Sequence, residues 1–276
     1  MTAHAATDMR GATEATAAIR PPQTAGGEKT HTAALLASRY TERSVAPAAR
    51  GAVGVRMRIR GVIRLGRWWW PCRGHEVTLP THGYFRELRM VGGLRIVDSW
   101  VAGHARRETT LLGRPLHPAL VGPDLARAGL AHAAMSAIWV PSLLLPSDTV
   151  RWSMEDRDTA AVAFEVAGAP VALRMTLHRG GLPRQVTLRR WGDPEHTGFF
   201  REEPFGAEIL EHRTFAGLTV PATGILGWGV GAPGPTREIL RFQVTALEPV
   251  PGAAPRLDEL GHLGSMSEDV AEGDAW

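Results

Sequence analysis

Val55-Arg56-Met57-Arg58-Ile59-Arg60, running on through Ile63, Arg64 and Leu65, alternates apolar and charged residues almost one for one. Successive side chains of an extended strand point to opposite faces. The stretch therefore predicts a strand with Val55, Met57, Ile59, Ile63 and Leu65 buried and a wet face of arginines. One wet face belongs to an antiparallel sheet rather than to a parallel sheet covered on both sides. The same reading carried outward predicts strands near 74–79, 84–91 and 94–106, and then near 149–155, 160–166, 170–178, 183–190, 205–214, 218–228 and 238–247. Gly180-Gly181 and Asp156-Arg157-Asp158 are turns between them. His31 to Arg43 fits a short helix. One principal helix interrupts the strands, with Asp124 as N-cap, an Ala-rich body from Leu125 to Trp139 and Pro141 as its stop. About eleven strands without βαβ alternation exclude a doubly wound nucleotide fold. The expectation is a mainly β protein with one principal helix, a curved antiparallel sheet or half-open β-barrel enclosing an apolar cavity, with the 124–139 helix against or across its mouth.

Composition narrows the function classes. Low content of large apolar residues predicts a disordered leader over 1–30 and a disordered tail over 251–276, leaving one domain over 31–250. The isoelectric point of about 9.7 accompanies a net charge of only +3, because the cations are nearly all arginine and little titrates above neutrality. It is not a nucleic-acid footprint, and no nucleic-acid partner is expected. Cys72 is the only cysteine, which excludes an internal disulfide and a cysteine-rich zinc site. Lys29 is the only lysine and lies in the leader, which argues against a P-loop or a Schiff-base cofactor. His75-Glu76 begins like a zinc-protease motif, but Leu79 stands where the second histidine belongs, so no metal is expected. Gly-x-Ser-x-Gly is absent, and no cofactor is expected. The first residues show no basic segment followed by an apolar one, which predicts a cytoplasmic protein. No apolar run approaches about 18 residues, so no stable membrane insertion is expected.

Strand parity supplies the candidate site. If 94–106 is one regular strand, Asp98 and His104 share the apolar face with Leu94, Ile96 and Trp100. A carboxylate there must be paired, and its pKa is open to tuning. His75 has the parity of Val77 and Leu79, and Arg184 and Arg190 that of Leu182, Val186 and Leu188. Asp98, His104 and His75 are thus the candidate acid–base groups, with Arg184 and Arg190 as ligand-binding cations. Nine tryptophans against two tyrosines supply large apolar area, and Trp100, Trp139, Trp152 and Trp191 are candidate walls for an extended hydrophobic ligand.

Further stretches carry a resemblance: Trp69-Trp70-Pro71, Asp98-Ser99-Trp100-Val101-Ala102-Gly103, Leu111-Leu112-Gly113, Gly122-Pro123-Asp124-Leu125, and above all Trp139-Val140-Pro141-Ser142-Leu143-Leu144-Leu145-Pro146 and Arg190-Trp191-Gly192-Asp193-Pro194. Pro204-Phe205-Gly206 and Gly227-Trp228-Gly229 complete the order, which over residues 32–247 resembles an uncharacterised bacterial domain of unknown function common in actinobacteria. That resemblance brings no catalytic residues. Its pattern has an acidic residue where Ser136 stands here, so any role of that acid does not carry over. The layout is also similar to the half-barrel of bacterial lipoprotein carriers, which is an analogy of fold. The expected function is binding of a hydrophobic small molecule, lipid-like or polyketide-like, with cofactor-independent cyclisation or isomerisation as its possible chemistry; a non-catalytic carrier is the alternative.

Overall fold

The computed structural model describes residues 27–195 and 197–252, so most of the expected leader and tail lie outside the described residues. The chain opens on helix α1 (Gly27–Ser44), which starts inside the stretch expected to be a leader. A first meander follows: β1 (Ala52–Leu65), β2 (Trp68–Leu79), β3 (Gly83–Met90), β4 (Leu94–Val101), β5 (His104–Leu111) and β6 (Arg114–Pro115). The short β7 (Leu120–Val121) leads into helix α2 (Pro123–Ser136). A second meander runs through β8 (Arg151–Asp156), β9 (Thr159–Val166), β10 (Ala169–Leu177), β11 (Pro183–Gly192), β12 (Arg201–Phe215), β13 (Leu218–Trp228) and β14 (Arg237–Pro251). Pairing of β14 with β1 welds the two into a single antiparallel sheet in the order β6-β5-β4-β3-β2-β1-β14-β13-β12-β11-β10-β9-β8, with β7 added on β5. The strands number 14 rather than about eleven.

Part of the difference is a turn. The expected strand 94–106 folds back at Ala102-Gly103, both with positive φ (46° and 88°), and Val101 pairs with His104 across a two-residue hairpin. Leu112-Gly113, Ala167-Gly168 and Ala216-Gly217 repeat the device. Asparagine-glycine normally marks such turns, but this sequence contains no asparagine. Alanine or leucine is instead held left-handed at a cost of about 1 kcal/mol each. Parity read straight through residue 102 consequently fails.

The sheet curves but does not close, since β6 and β8 remain free ends of the strand order. Helix α2 touches β4 and β5 of one wing and β9, β10 and β11 of the other, so both wings wrap around it. Gly122 is its N-cap and Pro123 its first residue, which displaces Asp124 from the expected capping position into the first turn. Small residues let the helix approach closely: Gly129, Ala131, Ala133 and Ala134 are buried, and a Cβ added at Gly129 would stand 2.4 Å from the Trp100 ring. Buried Ile138, Trp139, Val140 and Leu144 follow on. The interior expected to be a hollow cavity is therefore filled by α2 and the segment after it. Among the described residues, open clefts lie on the first meander. One, of about 590 Å³, lies beside Pro71, Gly92 and Leu94; the other, of about 550 Å³, lies between the β4–β5 hairpin and the start of α2. Among the described residues no helix is long and apolar enough to cross a membrane.

Candidate functional site

Unbroken register carries one row of side chains across the first meander: Met57, Glu76, Arg86, Asp98 and Arg107 stand opposite one another on β1 to β5. Direct cross-strand neighbours point the same way, so four charges of alternating sign face α2. Arg86 Nη2 donates to Asp98 Oδ2 at 2.6 Å, and Arg107 Nε donates to the other carboxylate oxygen. His132 and Ser136, one turn apart on α2, both reach Glu76: Ser136 Oγ donates to Oε1 at 3.0 Å, and His132 Nε2 lies 3.2 Å from the same atom. The Tyr84 ring packs 4.2 Å from the His132 ring. From the other wing, the Arg190 guanidinium lies 4.5 Å from the Phe205 ring centroid and 5.4 Å from that of Trp228.

These surroundings set the protonation states. Burial works to raise the Asp98 carboxyl, but the charges of Arg86 and Arg107 and their hydrogen bonds outweigh it and hold the group far below the usual carboxylate range. Burial likewise opposes ionisation of Glu76, yet His132, Arg86 and Ser136 together leave its pKa lowered. Burial keeps His132 below the ordinary histidine value. Arg190 is lowered to about 10 by burial, with Arg86 and Arg107 adding to the effect. Three enclosed donors around this cluster, Arg86 Nε, Trp100 Nε1 and Arg190 Nε, have no hydrogen-bond acceptor among the described residues. No carboxylate pairs with Arg190 among the described residues: Glu203, opposite it on β12, is taken by Arg201.

Two of the arginines are already held by Asp98, and Arg190 is the one that meets aromatic rings instead of an acid among the described residues. Ser136 donates to Glu76 and to the His132 carbonyl, not to the imidazole, so no serine–histidine pair is formed. A carboxylate as acidic as Asp98 is a weak base near neutral pH. Among the described residues no three His, Cys, Asp or Glu side chains gather to hold a metal.

The residues singled out from the sequence are scattered. Asp98, Trp100 and Arg190 lie in the cluster. His104 is exposed at the start of β5, where it lines the cleft beside α2, because the turn at Ala102-Gly103 ends the parity that linked it to Asp98. His75 stands on the opposite face from Glu76, stacked on Phe85 at 6.0 Å. Arg184 is exposed and pairs with Asp158 at 3.0 Å. Trp139 and Trp152 are committed to packing, their Nε1 atoms donating to the Pro221 and Leu144 carbonyls at 2.9 Å each. Trp191 anchors α2, donating to Asp124 at 2.7 Å while Arg127 lies 3.9 Å over its ring. Glu76, Tyr84, Arg86 and His132 escape a reading that follows apolar parity. The polar pair His132 and Ser136, four apart on an otherwise Ala-rich helix, is the signal that points to them.

The model of a family of unknown function matches residues 35–239. None of the curated proteins matches. Among solved structures, the chain is similar to a domain described as an outer membrane lipoprotein-sorting protein from Vibrio parahaemolyticus, at 7% identity and a TM-score of 0.43, covering 86% of this chain and 97% of that one. It is also similar to a LolA superfamily protein from Nitrosomonas europaea, at 8% identity and a TM-score of 0.42, covering 83% and 96%. A DUF1329 family protein from Desulfovibrio piger is similar at 10% identity and a TM-score of 0.37, covering 82% and 95%. The expected cytoplasmic location is corrected by these likenesses. It rested only on the composition of the first residues, whereas the structures that resemble this chain are described by outer membrane lipoprotein sorting and the LolA superfamily.

Proposed function

We propose that this chain, which belongs to the family of unknown function DUF6544, is a non-catalytic binding protein for a hydrophobic, lipid-like molecule with an anionic head. Arg190 carries this reading. Its Nε is enclosed, its guanidinium rests on Phe205 and Trp228, and among the described residues no acid pairs with it. A half-buried guanidinium whose Nε has lost water without gaining an acceptor is costly. A carboxylate or phosphate would neutralise it and would supply acceptors to the vacant donors of Trp100 and Arg86 as well. The tail would lie between α2 and the apolar wings. Gly129, Ala131, Ala133 and Ala134 make up much of that helix face, and a shift of α2 away from the wings would open the space. The lipoprotein-sorting and LolA descriptions of its structural neighbours agree with a lipid-like ligand. A cyclase or isomerase is the weaker reading, since Asp98 is clamped by two arginines rather than poised as a base.

Titration calorimetry with dodecanoate, dodecyl phosphate and dodecanol tests this. The anionic ligands should bind about tenfold or more tighter than the alcohol, and Arg190→Gln should abolish the difference, as losing a charge-assisted hydrogen bond requires. Failure of both anions to bind, or binding of the alcohol as tight as theirs, overturns the proposal.

A further inference from the structure

The β1–β2 hairpin ends in Leu65-Gly66-Arg67-Trp68, and Trp68, Trp69 and Trp70 begin the return strand with 61%, 37% and 37% of their surface exposed. An indole carries a large apolar body and one polar edge, and three in succession left in water need an explanation. Guanidinium groups hold two of them: Arg67 lies 4.7 Å over the Trp68 ring and Arg241 lies 5.1 Å over Trp69. The β3–β4 turn and the β5–β6 turn lie at the same end of the meander and add exposed Val91 and Leu112; Leu112 N donates to the Gly93 carbonyl at 2.9 Å, tying the two turns together. Among the described residues, unpaired acid is lacking at this end. The β1–β2 hairpin carries six exposed arginines, of which Arg60, Arg64, Arg67 and Arg73 lie toward the turn, and one acid, Glu76, buried on the inner face. On the flanking strands, Glu87 is occupied by Arg89 and Arg95 and Glu238 by Arg241, while Glu248 stands at the far end opposite Arg56.

We infer that this end of the sheet docks on an anionic lipid bilayer, with Trp68, Trp69 and Trp70 at headgroup depth and Arg64, Arg67 and Arg73 on the lipid phosphates. Charge complementarity selects the occupant. Indoles settle at the boundary between apolar and wet regions, and planar guanidinium groups match phosphate oxygens. The surface is separate from the cluster around Arg190, and the inference does not depend on the ligand proposed for that cluster.

Sedimentation with vesicles of phosphatidylcholine alone, and of phosphatidylcholine with one-third phosphatidylglycerol, provides the test. The wild-type protein should pellet with the anionic vesicles, remain in the supernatant with the neutral ones, and be released by high salt. Trp68→Ala/Trp69→Ala/Trp70→Ala should lose binding. Arg64→Gln/Arg67→Gln, which leaves the indoles in place, should weaken binding on the order of tenfold or more, the change expected for two arginines at an anionic surface. Wild-type protein that ignores anionic vesicles overturns the inference, and so does an arginine variant that binds them unchanged. A dimer dispersed by the tryptophan substitutions, without vesicle binding, assigns the face to a second copy of the chain and also overturns it.

Discussion

Asp98 is 4% exposed and receives hydrogen bonds from Arg86 and Arg107, so its charge is part of the fold. Asp98→Asn keeps the shape but leaves two arginines facing each other over a neutral amide. The expected loss is about 3 kcal/mol, the lower end for breaking a buried pair because Arg107 is partly in water. Denaturant titration checks it, and a loss below about 1 kcal/mol would mean the row is solvated. Acid should act in two stages. The His212 pKa is lowered to about 4 by burial, with His178 adding to it, and burial lowers His132 too. The unfolded chain takes up those protons from about pH 6.5 downward while the folded chain does not, so stability is full above that pH and falls as pH drops towards 4. Asp98 and Glu76 are lowered as well; their contribution is present above the unfolded carboxylate value near 4 and is lost below it. The melting temperature of His212→Gln should therefore fall less than that of wild type between pH 7 and about 4.5, and parallel curves would remove His212 from the account.

Helix α2 poses a contest between propensity and space. Gly129→Ala gains up to about 1 kcal/mol of helix propensity on an open surface. Here the new methyl meets the Trp100 ring at 2.4 Å, and Trp100 is 2% exposed and unable to retreat into solvent. Overpacking of this kind costs about 1–3 kcal/mol, so the substitution should destabilise on balance, as chemical denaturation will measure. An increase in stability would show that α2 is free to lift from the sheet at that point. The strands themselves were largely legible, because alternation such as that of β1 reports one dry and one wet face directly. The hairpin turns were not. Ala102-Gly103 looks like strand interior, and only the backbone, with Ala102 at φ 46°, reveals that the chain reverses there.

At the scale of the whole molecule, the decisive pairing is β1 with β14, the first long strand with the last. It runs from Ala52–Pro251 to Ile63–Leu240, and without it the two meanders would be separate sheets, each with an exposed edge. Because the wings also share α2 in their common interior, they should unfold together. Tryptophan fluorescence and far-ultraviolet circular dichroism are expected to trace one coincident transition in urea, and two resolved steps would show that the meanders are independent units.

By itself the sequence determined a mainly β chain with one principal helix, the inward face of the first long strand, the burial of Asp98 and the exclusion of a doubly wound fold. These follow from periodicity, which is local. Tertiary structure alone decided that α2 fills the interior of the open sheet, and that Glu76, Arg86, Asp98 and Arg107 form one row facing His132 and Ser136. Such contacts join residues on different strands and on the helix, and cross-strand register depends on turns that carry no asparagine-glycine mark here. Arg190 shows the division most plainly. Its parity places it on the inner face, but only the curvature of the sheet brings it opposite Tyr84 and Asp98, and only the pairing of Glu203 with Arg201 leaves it without a carboxylate.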